Sequence, residues 1–164
     1  MSEAEIADPA TLLLIVRALD ASRLSPNNFE VRISSHMLNV DREDSGALWK
    51  AIASLGVRLC VEMNGPDLPS IDQLRAASVN ALRMKDEVWT LSNHQLSLAR
   101  LVQASELART LGAELSIEDL QTSERLHLAR SAGIDAGLGH GLAELIAADP
   151  APVVTRLPTR AQAG

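Results

Sequence analysis

The chain has 164 residues, of which 46% are hydrophobic, enough for one buried core and too few for two full-sized domains. Its 21 acidic and 15 basic residues give a net charge of -6, and the basic ones are scattered, which argues against a nucleic acid polymer as partner. No apolar run is long enough to cross a bilayer, and no basic-then-hydrophobic N-terminal segment is present. We therefore expect a cytoplasmic protein without a membrane partner.

The first part of the chain predicts helix, strand, helix and strand in turn. Asp-Pro at residues 8–9 suits a helix start, and an apolar stripe at helical spacing follows. Residues 29–33 then alternate apolar and polar side chains, as a strand does. A second helical pattern ends at Gly56, a suitable left-handed cap, and residues 57–63 alternate again.

The second part continues the alternation of helices and strands. Ser70 and Gln73 form a capping box for a short helix, and residues 79–84 fit either a strand or a continued helix. Strong helical patterns follow at residues 93–111 and 123–132. Strands alternating with helices predict an α/β fold with a parallel sheet and right-handed crossovers. We expect one domain over residues 1–147.

The remaining segment, residues 148–164, contains Pro150, Pro152 and Pro158 and shows no periodicity. Such a composition gives a chain too little apolar surface to bury. We expect a flexible C-terminal tail.

Five stretches resemble, in order and spacing, motifs of the EAL-domain phosphodiesterases, which hydrolyse cyclic di-GMP on a modified (β/α) barrel. Residues 29–35, FEVRISS, are similar to L-E-L-E-I-T-E, and residues 55–65, LGVRLCVEMNG, to L-G-V-R-I-A-L-D-D-F-G. Residues 79–85, VNALRMK, resemble V-D-V-L-K-I-D. Residues 108–126 match A-R-x-L-G-L-x-V-V-A-E-G-V-E-T-E-E-Q-L without a gap, and residues 132–140, AGIDAGLGH, are similar to L-G-C-D-x-x-Q-G-Y.

This resemblance implies a partial (β/α) barrel of the EAL type. It implies about five parallel strands with flanking helices, and the N-terminal strands, including the one with the E-A-L motif, are missing from the matched part. A sheet of this kind has an open edge, and exposed edge strands tend to pair with another chain.

The resemblance also places seven active-site positions of the family in this sequence. In the family, oxygen ligands at the C-terminal ends of the strands hold two divalent cations that activate a water. Arginine, methionine, glutamine and leucine replace ligands at four positions, whereas two carboxylates and one positive charge remain. The vestigial positions are Arg32, Glu62, Met63, Arg83, Glu118, Gln121 and Leu138.

These replacements favour a protein without a metal, a cofactor or a catalytic residue. Hard cations need several oxygen ligands, and an arginine among them repels a cation. We expect Arg32 to form an ion pair with Glu62 or Glu118 instead.

The expected function is therefore that of a catalytically inactive EAL-like domain, a protein-interaction or regulatory module in bacterial signalling. The partner at the open sheet edge would be another protein or a second copy of the chain. One alternative is a receptor that binds cyclic di-GMP without hydrolysing it. A less favoured alternative is residual phosphodiesterase activity with magnesium or manganese.

Three other patterns have weaker functional interpretations. The glycine-rich residues 137–141 lack the spacing of a phosphate-binding loop, and a flexible turn is favoured. Glu124 and His127 have the E-x-x-H spacing of a metal-binding bundle, but a second such pair would be required, so a solvated helix face is favoured. Residues 105–120 fit a helix-turn-helix only with a lengthened turn and acidic residues facing phosphates.

The rarer residue types have structural interpretations as well. Cys60 lies in a predicted strand and suits a small core residue. Trp49 and Trp89 fit either the core or an interface, and the sequence does not decide between them.

Overall fold

The computed structural model describes residues 8, 10–39, 43–64, 67–85, 88–89, 94–134, 136–140 and 142. Its helices and strands are, in chain order, α1 (Ala10–Ser22), β1 (Glu30–Ser34), α2 (Glu43–Ser54), β2 (Arg58–Met63), α3 (Ile71–Ala76), β3 (Ala81–Met84), α4 (His94–Leu111), β4 (Glu114–Ile117), α5 (Ser123–Ser131) and β5 (Ala136–Gly137). Short 3-10 turns cover Pro26–Asn28 and Ser35–Asn39.

The strands form one sheet in the order β1-β2-β3-β4-β5. The predicted α/β fold of five parallel strands with flanking helices is thereby confirmed. Sequence neighbours are also sheet neighbours, as expected when each crossover helix returns the chain to the next position. The chain divides into two compact units, Met1–Leu82 and Arg83–Gly164.

In the first unit, local signals place the helices and strands as expected. The Asp8 carboxylate accepts a hydrogen bond from the Ala10 amide at 2.8 Å, so the predicted N-cap of α1 is present. Gly56 ends α2 with φ of +78°, a conformation that glycine adopts without a steric cost. The Ser70 hydroxyl and the Gln73 side chain form the predicted capping box of α3.

The strands of this unit form a continuous parallel ladder. β1 pairs with β2 from Glu30 opposite Arg58 to Ser34 opposite Glu62. β2 is buried on both faces, with Cys60 only 1% exposed, so the thiol is a core group as predicted. Of the ambiguous segment 79–84, residues 81–84 form strand β3, and the Asn80 amide just before it donates to the Leu59 carbonyl at 2.9 Å.

In the second unit, α4 precedes β4 and α5 precedes β5. β4 pairs in parallel with β5, with Ile117 opposite Gly137. Leu101 and Ala104 of α4 are fully buried, as the predicted apolar stripe requires. The side-chain hydroxyl of Thr122 accepts a hydrogen bond from the Arg125 amide and caps α5.

The structure also decides between the alternatives that the sequence left open. A helix-turn-helix over residues 105–120 is wrong, because residues 114–117 form β4. A phosphate-binding loop does not fit residues 136–137 either, since these form β5. Trp49 is 4% exposed and belongs to the core, whereas Trp89 is only partly buried.

Two further points concern the ends of the chain and the membrane. The predicted tail, residues 148–164, lies outside the described residues.

In the part of the chain that the structure describes, no helix combines the length and the apolar character that crossing a membrane requires.

Candidate functional site

Three charged side chains meet at the C-terminal ends of β3 and β4. Glu118 directly follows β4, and its amide donates to the Met84 carbonyl at 3.0 Å, which aligns the two strand ends. One Glu118 carboxylate oxygen accepts a hydrogen bond from Arg83 Nη1 at 3.1 Å, and the other accepts one from Lys85 Nζ at 3.1 Å. Both oxygens of this predicted vestigial carboxylate therefore contact a cation. We call Arg83, Lys85 and Glu118 the charge cluster.

The electrostatics of the charge cluster keep Glu118 ionised. Partial burial raises the pKa of the Glu118 carboxyl, but the hydrogen bonds and charges of Lys85 and Arg83 together outweigh it. The net result is a pKa below its ordinary value of 4.5. The Arg83 side chain is only 11% exposed, so its ion pair with Glu118 is partly sheltered from solvent.

Residues around Glu118 hold its backbone in place. The Trp89 indole N–H donates to the Glu118 carbonyl at 3.0 Å, and the Arg125 guanidinium lies over the Trp89 ring at 5.3 Å from its centroid. Arg125 also forms an ion pair with Asp119 and donates to the Asp119 carbonyl at 3.0 Å. Asp119 has φ of +62° and stands where the resembling E-G-V-E motif has glycine.

The two other predicted positions of this unit are exposed. Gln121 is exposed, and its amide nitrogen donates to the Asp119 carboxylate at 2.8 Å. Leu138 is 44% exposed and offers only backbone groups, with its amide donating to the Ile117 carbonyl. At the next residue, a Cβ added to Gly139 would lie 2.4 Å from the Leu120 backbone nitrogen, so the chain passes too close for a side chain.

In the first unit, Arg32 forms an ion pair that the sequence did not predict. Its Nε donates to the Glu30 carboxylate at 3.0 Å, and the two residues lie on one face of β1, two positions apart. The hydrogen bond that Arg32 donates to Glu30 raises the pKa of Arg32, so the guanidinium stays charged. Half of the Arg32 side chain is exposed.

At the ends of β1 and β2, polar side chains lie beside a buried thioether. Met63, a predicted position, is 3% exposed, and Glu62 is half-buried. The Asn64 amide nitrogen donates to the Ser34 hydroxyl at 3.2 Å, and this hydroxyl lies 2.7 Å from His36 Nδ1. Sequence reasoning singled out neither Ser34 nor Asn64. Ser34 is the last residue of β1 and Asn64 directly follows β2, and these positions could have indicated them.

The second unit contains functional candidates that sequence reasoning missed as well. Lys85 follows β3 and aligns with the last aspartate of the family's V-D-V-L-K-I-D motif. This alignment could have indicated that Lys85 lies at the site. Arg125 had no such signal, and the sequence identified Trp89 only as a core or interface residue. Within the described ranges, three or more His, Cys, Asp or Glu side chains nowhere gather in a way that could hold a metal ion.

Comparison with known protein families decides where the chain belongs. The model of the EAL domain matches residues 1–144. This chain belongs to the EAL-domain family. A search of the curated proteins finds no match to this EAL domain.

Solved structures with the same fold include EAL domains with a bound dinucleotide. The PaMucR phosphodiesterase in complex with c-di-GMP aligns with a TM-score of 0.81 and 17% identity, covering 91% of this chain and 61% of that one. The FimX EAL domain from Pseudomonas aeruginosa bound to c-di-GMP aligns with a TM-score of 0.76 and 19% identity, covering 88% and 60%.

A third structure with the same fold is a complex with both c-di-GMP and calcium. The Bacillus subtilis YkuI protein, in complex with substrate c-di-GMP and calcium, aligns with a TM-score of 0.67 and 20% identity, covering 85% of this chain and 36% of that one. This EAL domain thus spans less than two thirds of the chains that it matches. At these identities the likeness establishes the fold.

Proposed function

We propose that this EAL domain does not hydrolyse a cyclic dinucleotide and serves as a protein-interaction or regulatory module in bacterial cyclic di-GMP signalling. The observation that carries the proposal is the charge cluster. Glu118 contacts Arg83 with one oxygen and Lys85 with the other, each at 3.1 Å. A carboxylate held in this way already has its positive partners.

The side chains present do not fit a pair of divalent cations. A metal at Glu118 would have to displace the charge-assisted hydrogen bond from Lys85 and would be repelled by the Lys85 charge, which stands where the family motif has an aspartate. In the first unit, Met63 offers a buried thioether, a soft ligand that magnesium, manganese and calcium do not favour. Arg32, close to Glu30, places a further positive charge at a predicted ligand position.

A hydrolysis assay tests the catalytic part of the proposal. The purified chain is incubated with cyclic di-GMP and an excess of Mg²⁺ or Mn²⁺, beside a hydrolysing EAL domain as positive control. We expect no linear dinucleotide above the level of the buffer. Linear product that disappears in the Glu118→Ala variant would contradict the proposal.

The interaction part is supported by the apolar surface next to β1. A groove of about 350 Å³ lies between α1 and β1. On α1, Leu13 and Leu14 are 51% and 60% exposed, which is unusual for two adjacent large apolar residues. Affinity capture should recover partners that the wild-type chain binds and that Leu14→Glu, an exposed substitution, does not bind.

One second function has a specific observation in its favour. The PaMucR and FimX structures, which share the fold over 91% and 88% of this chain, are complexes with c-di-GMP. A non-hydrolysing receptor would use cations such as Arg83 and Lys85 to contact phosphate oxygens. Calorimetric titration with cyclic di-GMP separates this function from the first, since a dissociation constant in the micromolar range or below would support the receptor.

A further inference from the structure

We propose that two copies of this chain associate through the exposed side of α1, with the two helices antiparallel and Arg17 of each copy beside Asp20 of the other. The inference rests on the proposed interaction function and names its partner, a second copy of the chain. The surface consists of exposed residues that we call the outer α1 face: Leu13, Leu14, Arg17, Asp20 and Ala21, with Leu24 just after the helix.

The sequence of α1 places large apolar side chains on two sides of the helix. Residues 12–16, LLLIV, are all apolar. Because a helix has about 3.6 residues per turn, five consecutive side chains point all round its axis and cannot all face the core. Thr11 and Ile15 are buried, whereas Leu13 and Leu14 are 51% and 60% exposed. α1 therefore buries one apolar side and presents another to solvent.

A helix that only covers a sheet has a polar outer side, and α5 is an example within this chain. The exposed residues of α5 are all polar: Ser123, Glu124, His127, Arg130 and Ser131. On the outer α1 face, in contrast, Leu24 is 48% exposed in addition to Leu13 and Leu14. Three large apolar side chains within the length of one helix indicate a surface that is stabilised by contact with another molecule.

The two charges on the outer α1 face favour a second copy of the chain as that molecule. Arg17 and Asp20 are both exposed and are three positions apart, so they lie on the same side of the helix. A face with one positive and one negative charge is complementary to itself when a two-fold axis relates the copies. The same two residues then form two ion pairs across the interface.

The charges also determine the register of the two helices. When the two-fold axis crosses α1 midway between Arg17 and Asp20, each arginine lies opposite the aspartate of the other copy. An axis through Arg17 or through Asp20 would instead bring like charges together. In the favoured register, Leu13 lies level with the segment that follows the other copy's helix, where Leu24 is exposed. Apolar side chains therefore flank the ion pairs on both sides.

The size of this surface sets the strength of the association. One helix from each copy gives an interface at the low end of the range for specific complexes. We expect a dissociation constant of about 10 µM, so that most of the wild-type chain is dimeric at about 100 µM. Sedimentation velocity over a concentration series measures this constant.

Charge exchange in the full chain tests the register. Arg17→Asp gives an outer α1 face with two negative charges, and Asp20→Arg gives one with two positive charges. Each single variant turns two attractions into two repulsions and should raise the dissociation constant about 30-fold. The double variant, with both exchanges in one chain, restores opposite charges and should associate as the wild type does.

Mixing the two single variants is the sharpest measurement. We expect each alone to be mainly monomeric at about 100 µM and their equimolar mixture to form a heterodimer. Glu106→Arg is the matched control, since Glu106 is exposed on α4 and the substitution changes the net charge as Asp20→Arg does. The control should leave the dissociation constant within about 2-fold of the wild-type value.

An apolar variant tests the same face without relying on the charges. Leu13→Glu places a carboxylate in each half of the interface and should raise the dissociation constant more than about 100-fold. Circular dichroism shows whether each variant is folded. If a charge variant does not fold, Leu13→Glu decides the question, because its side chain is half exposed in the single chain.

The inference is overturned by a wild-type chain that stays monomeric at about 100 µM, or by a dimer that neither single exchange nor Leu13→Glu weakens. Folded single variants that do not associate with each other would also overturn it. These results differ from failure of the proposed function. A monomeric chain that captures another protein and does not hydrolyse cyclic di-GMP would leave the proposed function intact and exclude a second copy as the partner.

Discussion

Replacing Glu118 with glutamine should destabilise the fold, because it removes the one negative charge between Arg83 and Lys85 and keeps the shape of the side chain. Each of the two hydrogen bonds is 3.1 Å long. A sheltered hydrogen bond to a charged group contributes about 1.5 to 3 kcal/mol, and an exposed ion pair about 0.2 to 1 kcal/mol. The Glu118 side chain is 26% exposed, so the energies of its contacts should lie between the sheltered and the exposed case.

We therefore assign about 1 kcal/mol to each contact and expect Glu118→Gln to lower the free energy of unfolding by about 2 kcal/mol. For a chain of this length, the Tm should fall by about 4 to 8 °C. A glutamine amide accepts with one oxygen only, so at least one of the two cations loses its hydrogen bond to residue 118.

The pH dependence of the effect has a defined sign. The pKa of Glu118 is lower in the folded chain than its ordinary value of 4.5. The stabilisation is therefore complete above pH 4.5 and is lost as the pH falls through the lower, folded value. The difference between the wild-type chain and Glu118→Gln should be constant from pH 8 to about pH 5.5 and should shrink below pH 4.5.

Urea unfolding followed by circular dichroism measures this difference at each pH. Glu106→Gln is the matched control, because Glu106 is an exposed carboxylate on α4 outside the charge cluster. The control should change the free energy of unfolding by less than about 0.5 kcal/mol. Equal urea midpoints for wild type and Glu118→Gln at pH 7, or a gap that does not narrow in acid, would refute the electrostatic reasoning.

Three other substitutions test the packing and one helix cap. Gly139→Ala should destabilise by about 3 kcal/mol or more, because its Cβ would lie 2.4 Å from the Leu120 backbone; Gly46→Ala, where a Cβ meets nothing within 4 Å in α2, should instead stabilise by about 0.5 kcal/mol. A thermal denaturation series in which both variants shift the Tm in the same direction would contradict this contrast. Ser70→Ala should cost about 1 kcal/mol by removing the hydroxyl that accepts from the Gln73 amide, and an unchanged urea midpoint would show that the cap contributes nothing.

Much of the fold could be predicted because its signals are local. The Asp8 cap, the Gly56 turn and the Ser70 capping box each involve residues within a few positions of one another, and all are present in the structure. The segment 79–84 could not be assigned from its own sequence. Its strand character depends on Asn80 and Leu59, which are 21 residues apart in the chain.

The candidate site could be predicted only where alignment with the family supplied positions. Glu118 and Arg83 were identified in this way, but Lys85, the second cation on Glu118, was not assigned a role. The contact between Lys85 and Glu118 requires β3 and β4 to end side by side. The apolar pattern within either strand does not predict which strands are neighbours. The contacts of Trp89 and Arg125 were missed for the same reason, since both residues contact the Glu118–Asp119 segment from elsewhere in the chain.

The residues that replace family ligands at the strand ends can be explained together by the balance of charge. A cluster of carboxylates is stable only with cations among them, because like charges at short distance repel. Under the proposed function, Lys85 supplies a positive charge beside Glu118 where the family motif has an aspartate, and Arg83 retains the positive charge of the motif's lysine. Met63 and Leu138 carry no charge and offer no oxygen donor in their side chains. Restoring a single acid, as in Lys85→Asp, should therefore not recover a metal site. It would place a second carboxylate beside Glu118, raise the pKa of Glu118 and lower the stability of the fold.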